Sequence, residues 1–172
     1  TTAYGYTVQE IADFADELLQ EASSVLVICN TKKTALEIYE RAQERGYRVY
    51  HLSTSMCMAH RIATVNRIQE ILRQNQRTGQ KEKLLCVSTQ LVEAGVDFSF
   101  ERVIRLLAGM DNIVQSAGRC NRSFDYGAIC PVYVLNVQNE PVGPLQEIRE
   151  RQEATQSLLH AFAAYSEQYD HN

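Results

Sequence analysis

Two short segments of this 172-residue chain gather side chains whose types and spacing suit the handling of a phosphate. In DNIVQSAGRCNR, Asp111 to Arg122, the residues Gln115, Arg119 and Arg122 stand at i, i+4 and i+7. An uninterrupted helix would line them along one face, with Ile113, Val114, Ala117 and Cys120 turned to a core. Two guanidiniums one turn apart can take separate oxygens of a phosphoryl group and stabilise the charge developing on it during transfer. Gly118 within that helix would cost roughly 1 kcal/mol relative to alanine, which points to something approaching the backbone there. The same residues also suit two solvated arginines and a glycine that merely admits a close helix contact.

The second segment, STQLVEAGVDFSF from Ser88 to Phe100, follows the apolar run LLCV. It sets the hydroxyls of Ser88 and Thr89, the acids Glu93 and Asp97, and Gly95 together at a strand's carboxyl end. Short hydroxyls and free backbone N–H groups there suit phosphate and sugar contacts that read no base. A capped loop, with Gly95 making the turn and Asp97 capping a backbone amide, would use the same residues.

Such residues need a frame. Thr7 followed by Glu10 reads as a capping box, and Val8, Ile11, Phe14, Ala15, Leu18 and Leu19 recur at helical spacing, predicting a helix from about Thr7 to Ala22. Val25 to Cys29 is short, β-branched and followed by Asn30-Thr31, as expected of a strand buried on both faces with a helix cap behind it. A helix bearing Ala35, Leu36, Tyr39 and Ala42 then stops at Gly46, and Tyr47 to Leu52 forms the next strand. Beyond a loop over Ser53 to Met58, a third helix carries Ile62, Val65, Ile68 and Leu72 and ends in the polar stretch Arg73 to Lys83. Strands follow at Leu84 to Val87, Arg102 to Leu107 and Ala128 to Val137, with the helix of Asp111 to Arg122 between the last two. After the turn-forming Pro141 to Pro144, a final amphipathic helix bears Leu145, Ile148, Leu158, Leu159 and Phe162. The alternation argues for an α/β fold, a doubly wound parallel sheet with helices on both faces. Ligands of such sheets sit beyond the carboxyl ends of the strands, which singles out Asn30-Thr31, Ser53-Thr54, Ser88 to Asp97 and Gly109 to Arg122.

Composition narrows the function classes. At 172 residues and 45% hydrophobic, the chain suffices for one domain with its own core. Its 17 Lys+Arg against 21 Asp+Glu give a net charge of -4, so any nucleic-acid site must be local. Five cysteines, none in a C-x-x-C pair or zinc-ligand cluster, suit a reduced, cytoplasmic setting. No apolar run approaches the roughly 20 residues that span a bilayer, so no membrane partner is expected. There is no G-x-x-x-x-G-K-[ST] loop and no Asp-Glu-Ala-Asp-like box to cradle a β-phosphate or hold Mg²⁺. His51, His60, His160 and His171 are scattered and form no nuclease dyad. Nor does a G-x-G-x-x-G follow the first strand, which disfavours a dinucleotide-binding domain.

Ser88-Thr89-Gln90 with Glu93-Ala94-Gly95-Val96-Asp97, followed by Gln115-x-x-Gly118-Arg119-x-x-Arg122, resembles motifs V and VI of superfamily 2 helicases. The wording STQLVEAGVD, QSAGRCNR and HLSTSMCMAHR is similar, more narrowly, to the CRISPR-associated helicase-nuclease of type I systems, from about Ser24 to Val137. The resemblance implies a RecA-like helicase C-terminal domain over residues 1–140, followed by a linker and amphipathic helix over 141–172. It implies Arg119 and Arg122 as arginine fingers at the γ-phosphate of ATP, with Gln115, Gly95 and Asp97 at the nucleotide and Asp97 at its ribose. Asn30, Thr31, Ser53, Thr54, Ser88 and Thr89 would meet the DNA backbone, and Arg61 either joins them or stabilises its own loop. ATP and Mg²⁺ would be held mainly by a first RecA-like domain of the same polypeptide, alongside an HD nuclease domain. Single-stranded DNA and a CRISPR effector complex are the other partners implied. Two positions depart from the pattern: Ser116 stands where many superfamily members carry arginine, and Met58 where proline is expected.

The expected function is therefore the second motor domain of an ATP-dependent single-stranded-DNA translocase in CRISPR interference, inactive alone as an ATP hydrolase or nuclease. An RNA helicase, a restriction-type translocase and a catalytically silent binding module are the alternatives. The arginine-finger role requires both guanidiniums to project together from the sheet's ligand-bearing rim.

Overall fold

A computed structural model describes residues 5–78, 81–89, 97–138, 140 and 146–169, without the side chains of 123, 146–148 and 163–169. Of the sequence candidates, Glu93, Gly95 and the turn Pro141 to Pro144 lie outside the described residues. Helix α1 (Val8–Glu21) starts from the expected capping box: Thr7 Oγ1 accepts from the Glu10 N–H, and the Glu10 carboxylate accepts from the Thr7 N–H. Strand β1 (Ser24–Cys29), α2 (Lys32–Gln43), β2 (Arg48–Leu52), α3 (Met58–Arg77), β3 (Leu84–Thr89), β4 (Arg102–Leu106), α4 (Met110–Ala117), β5 (Val132–Leu135) and α5 (Gln146–Tyr169) follow. The five strands form one parallel sheet in the order β2-β3-β1-β4-β5.

Side chains alternate across a strand, so β1 feeds two cores. Val25, Val27 and Cys29 pack with Ile11, Ala15 and Leu19 of α1 and with Ala35 and Ile38 of α2. Leu26 and Ile28 point the other way and pack with Ile68, Ile71 and Leu72 of α3. This is the doubly wound arrangement expected from the sequence.

Each parallel crossover returns the chain from the sheet's carboxyl rim to its amino rim before the next strand begins. Segments that span a crossover therefore have one end on each rim. β5 is shorter than the expected Ala128 to Val137: before it, Asn121 holds a loop, its Nδ2 donating to the Ala128 carbonyl (2.6 Å) and its Oδ1 accepting from the Tyr126 N–H (2.9 Å), and after it Val137 makes only an isolated bridge to Tyr6.

On β2, His51 stacks on Tyr39 with ring centroids 5.3 Å apart, and its buried Nε2 has no hydrogen-bond partner among the described residues. Burial holds the imidazole below the ordinary histidine range. The unfolded chain takes up a proton from about pH 6.5 downward while the folded one resists it, so stability is intact above that value and declines as pH falls below it. His51→Gln should flatten the dependence of melting temperature on pH between about 7 and 5. A slope equal to the wild type's would discard His51 as its source.

Candidate functional site

The segment Asp97 to Glu101 leads into β4 at the amino rim, where the motif-bearing loop after α4 meets it. Cys120 bridges Phe100 as a parallel neighbour, with the Phe100 N–H donating to the Arg119 carbonyl (2.9 Å) and the Asn121 N–H to the Phe100 carbonyl (2.8 Å). The start of β1 locks the junction: Ser23 donates through N–H and Oγ to the Glu101 carboxylate (2.8 and 2.9 Å), and the Glu101 N–H donates to Ser24 Oγ (3.0 Å). Tyr126 lies across it, its hydroxyl 3.2 Å from Ser24 Oγ and donating to the Ser99 carbonyl (3.1 Å). Burial pushes this phenol up to about 12, so it stays a donor at neutral pH.

Arg119 and Arg122 thus stand at the amino rim, and the expectation of a carboxyl-rim position is wrong. The reason is topological: α4 begins just beyond the carboxyl end of β4 and carries the chain back across the sheet. Nor do Gln115, Arg119 and Arg122 share one helix face. α4 ends at Ala117, Asn121 takes a left-handed conformation (φ 45°) that asparagine tolerates, and Arg122–Phe124 form a separate 3-10 turn. Ser116 is buried, donating to the Asn112 carbonyl (2.7 Å), whereas Val114, expected to face a core, is exposed. Gly118 is an exposed helix end in ordinary right-handed geometry, not a mid-helix glycine.

Arg122 Nη1 pairs with Asp97 Oδ1 on the surface, and the pair opens into a cleft of about 250 Å³. Gln69, Leu72, Arg73 and Gln76 of α3 line it, together with Ser99 and Asp125. Gln69 Nε2 donates to the Asp97 carbonyl (3.1 Å), and Gln76 Nε2 to Asp125 Oδ2 (3.3 Å). Sequence reasoning missed the α3 contribution, although Gln69, Arg73 and Gln76 stand at the same i, i+4, i+7 spacing noticed farther along. Arg119 is half-buried with its Nε shielded from solvent, and Gln115 is exposed on α4. Burial pushes the neighbouring Cys120 thiol up to about 11, so it offers no nucleophile at neutral pH. Among the described residues, no group of three His, Cys, Asp or Glu is arranged to hold a metal ion.

The remaining candidates do lie on the carboxyl rim, about a strand's length away. Asn30 is committed to the fold: Nδ2 donates to the Leu107 carbonyl and to Glu140 Oε2 (both 2.8 Å), while Oδ1 accepts from Nη1 of the fully buried Arg105 (2.7 Å). Burial pushes the Glu140 carboxyl up despite these contacts. Gln152 of α5 donates to the same Leu107 carbonyl (2.7 Å), docking that helix on the rim. Thr31 caps α2, its Oγ1 accepting from the Thr34 N–H (3.1 Å). Ser53 is buried and accepts from the Ser55 N–H (3.1 Å). Ser88 and Thr89 are buried at the end of β3, with Ser88 Oγ donating to the Thr89 carbonyl (2.9 Å). Thr54 alone of these six is exposed.

Residues 21–125 match the family model described as CRISPR-associated nuclease/helicase Cas3, C-terminal. The CRISPR-associated nuclease/helicase Cas3 of Methanothermobacter thermautotrophicus is 27% identical over 157 residues, covering 89% of this chain and 18% of that protein. Its counterpart in Haloferax volcanii is 52% identical over 50 residues, 29% of this chain and 5% of that protein. The chain thus spans less than a fifth of the length of these curated relatives. The fold is also that of the crystal structure of T. fusca Cas3 with ATP, at a TM-score of 0.66 and 20% identity over 81% of this chain and 17% of that one. With the family model matched over more than half of its length and a RecA-like sheet built as in the solved relatives, the chain belongs to the C-terminal helicase family of CRISPR-associated nuclease/helicase Cas3.

Proposed function

We propose that this domain is the second motor lobe of an ATP-dependent single-stranded-DNA translocase in CRISPR interference, closing on a first RecA-like lobe of the same polypeptide. The observation that carries it is the exposed Arg122–Asp97 pair at the mouth of a polar cleft of about 250 Å³. Complete small-molecule sites enclose roughly 300–1,000 Å³, so a smaller open cleft suits half of a shared site. The proposed site lies at the amino rim instead of the carboxyl rim, so what remains of the finger requirement is a face that the other lobe can cover. In the closed state Arg122, with Arg119 three residues before it, would place positive charge against the γ-phosphoryl as negative charge develops on it. Asp97, released from Arg122, would accept from a ribose hydroxyl, and Gln115 and Gly95 complete the proposed nucleotide contacts.

ATP and Mg²⁺ are assigned to the first lobe, which would supply the phosphoryl chemistry. The cleft fits the nucleotide through its guanidiniums; its two carboxylates are engaged by Arg122 and Gln76 and form no metal-ligand set. On the carboxyl rim, Thr54 is the one exposed residue among the six proposed DNA-backbone contacts, and Thr31, Ser53, Ser88 and Thr89 shape the rim around it. An HD nuclease domain and a CRISPR effector complex complete the proposed assembly.

The purified domain alone should show no ATP turnover, and adding the first lobe should restore single-strand-stimulated hydrolysis. Robust hydrolysis by the domain alone would contradict a shared site.

A further inference from the structure

We infer that Arg73 of α3 is a third cation of the nucleotide site, binding a phosphate oxygen of the nucleoside triphosphate beside Arg122. The inference rests on the nucleotide reading of the amino-rim cleft but concerns a residue outside both motif-bearing segments. α3 sends Gln69, Arg73 and Gln76 into that cleft from one stripe, because residues three and four apart share a helix face. The two glutamines already have tasks, one holding the Asp97 backbone and the other the Asp125 carboxylate. Arg73 sits between them, exposed, and the cleft's acids are engaged elsewhere, Asp97 with Arg122 and Asp125 with Gln76.

The formal charges of Arg73, Arg122, Asp97 and Asp125 cancel, so the cleft is no general trap for anions. It discriminates by position: guanidinium forks for phosphate oxygens beside carboxylates for sugar hydroxyls, a pairing that matches a nucleotide better than free phosphate. A neighbour on the same helix supplies the contrast. Arg67 is also exposed but is held by Glu70 one turn away (2.8 Å) and does not line the cleft.

The test uses the full-length protein, with single-strand-stimulated ATP hydrolysis and equilibrium binding of a fluorescent non-hydrolysable ATP analogue as readouts. Arg73→Ala should raise KM for ATP and Kd for the analogue about tenfold while kcat stays within about threefold, as expected for an exposed charge-assisted contact made in ground and transition state alike. Arg73→Lys should fall between, since an ammonium keeps the charge and loses the fork. Arg67→Ala should change neither quantity. Melting temperature should be unmoved in all three, and a loss of affinity tracking a loss of stability would overturn the assignment. Unchanged analogue binding in Arg73→Ala, with turnover still lost in Arg122→Ala, overturns this inference alone. Unchanged turnover in both variants removes the nucleotide reading of the cleft and Arg73 with it.

Discussion

Replacing Arg122 with alanine in the full-length protein is expected to lower single-strand-stimulated ATP hydrolysis by about a thousandfold or more, the range over which an arginine finger acts. The fold should be indifferent to the change. Arg122 meets Asp97 on the surface, with side-chain exposures of 49% and 76%, and exposed pairs contribute only about 0–1 kcal/mol. Melting temperature should therefore shift by a few degrees at most in a domain of this size. Arg119→Ala should reduce turnover comparably, and the double variant should be little worse than either single one, because groups acting as a unit are not additive. Steady-state kinetics at saturating ATP give the answer. A rate within about threefold of wild type for Arg122→Ala would leave the cleft without its proposed role.

The second large effect concerns stability. Asn30→Ala should destabilise the domain by about 2–4 kcal/mol, the scale for stripping partners from buried polar and charged groups. Asn30 gives the fully buried Arg105 an acceptor and simultaneously donates to Leu107 and Glu140, so one truncation disturbs three neighbours. For a domain of this length that corresponds to a melting temperature lower by about 5–15 °C. Asn30→Asp should also destabilise: it restores an acceptor for Arg105 but sets a second carboxylate against Glu140. Thermal unfolding of the purified domain decides the matter. Unaltered stability accompanied by weaker DNA binding would return Asn30 to the list of backbone contacts and deny the network its structural part.

The sheet and its helices were legible because their signals are local. The capping box at Thr7 and Glu10, the apolar runs of β1 and β3 and the Gly46 stop each reside in a few consecutive residues. The rim of Arg119 and Arg122 was within reach of the strand-helix order, since a helix following β4 carries its last residues back to the amino rim. The junction itself was not legible, because it depends on pairing between Phe100 and Cys120 and on the ties among Ser23, Ser24, Glu101 and Tyr126, remote in sequence. The i, i+4, i+7 alignment fails after α4 and holds on α3: Gly118 and Asn121 end the helix that would have aligned Gln115, Arg119 and Arg122, while α3 runs unbroken through Gln69, Arg73 and Gln76. Arg105 was the overlooked signal. A cation between Ile104 and Leu106 in a strand buried on both faces requires buried acceptors, and searching for them would have led to Asn30.

The separation of the two rims has a mechanical consequence. Strands of five or six residues set them about 20 Å apart. Joined by a close-packed sheet, they cannot move independently, so the domain behaves as a stiff lever with the cleft near one end and Thr54 near the other. A rigid tilt of about 15°, of the size seen when subunits rotate, swings the far end through about 5 Å. That travel exceeds the 3.4 Å rise per nucleotide of a stacked strand, so a pivot of this size would suffice to advance a polynucleotide by one unit.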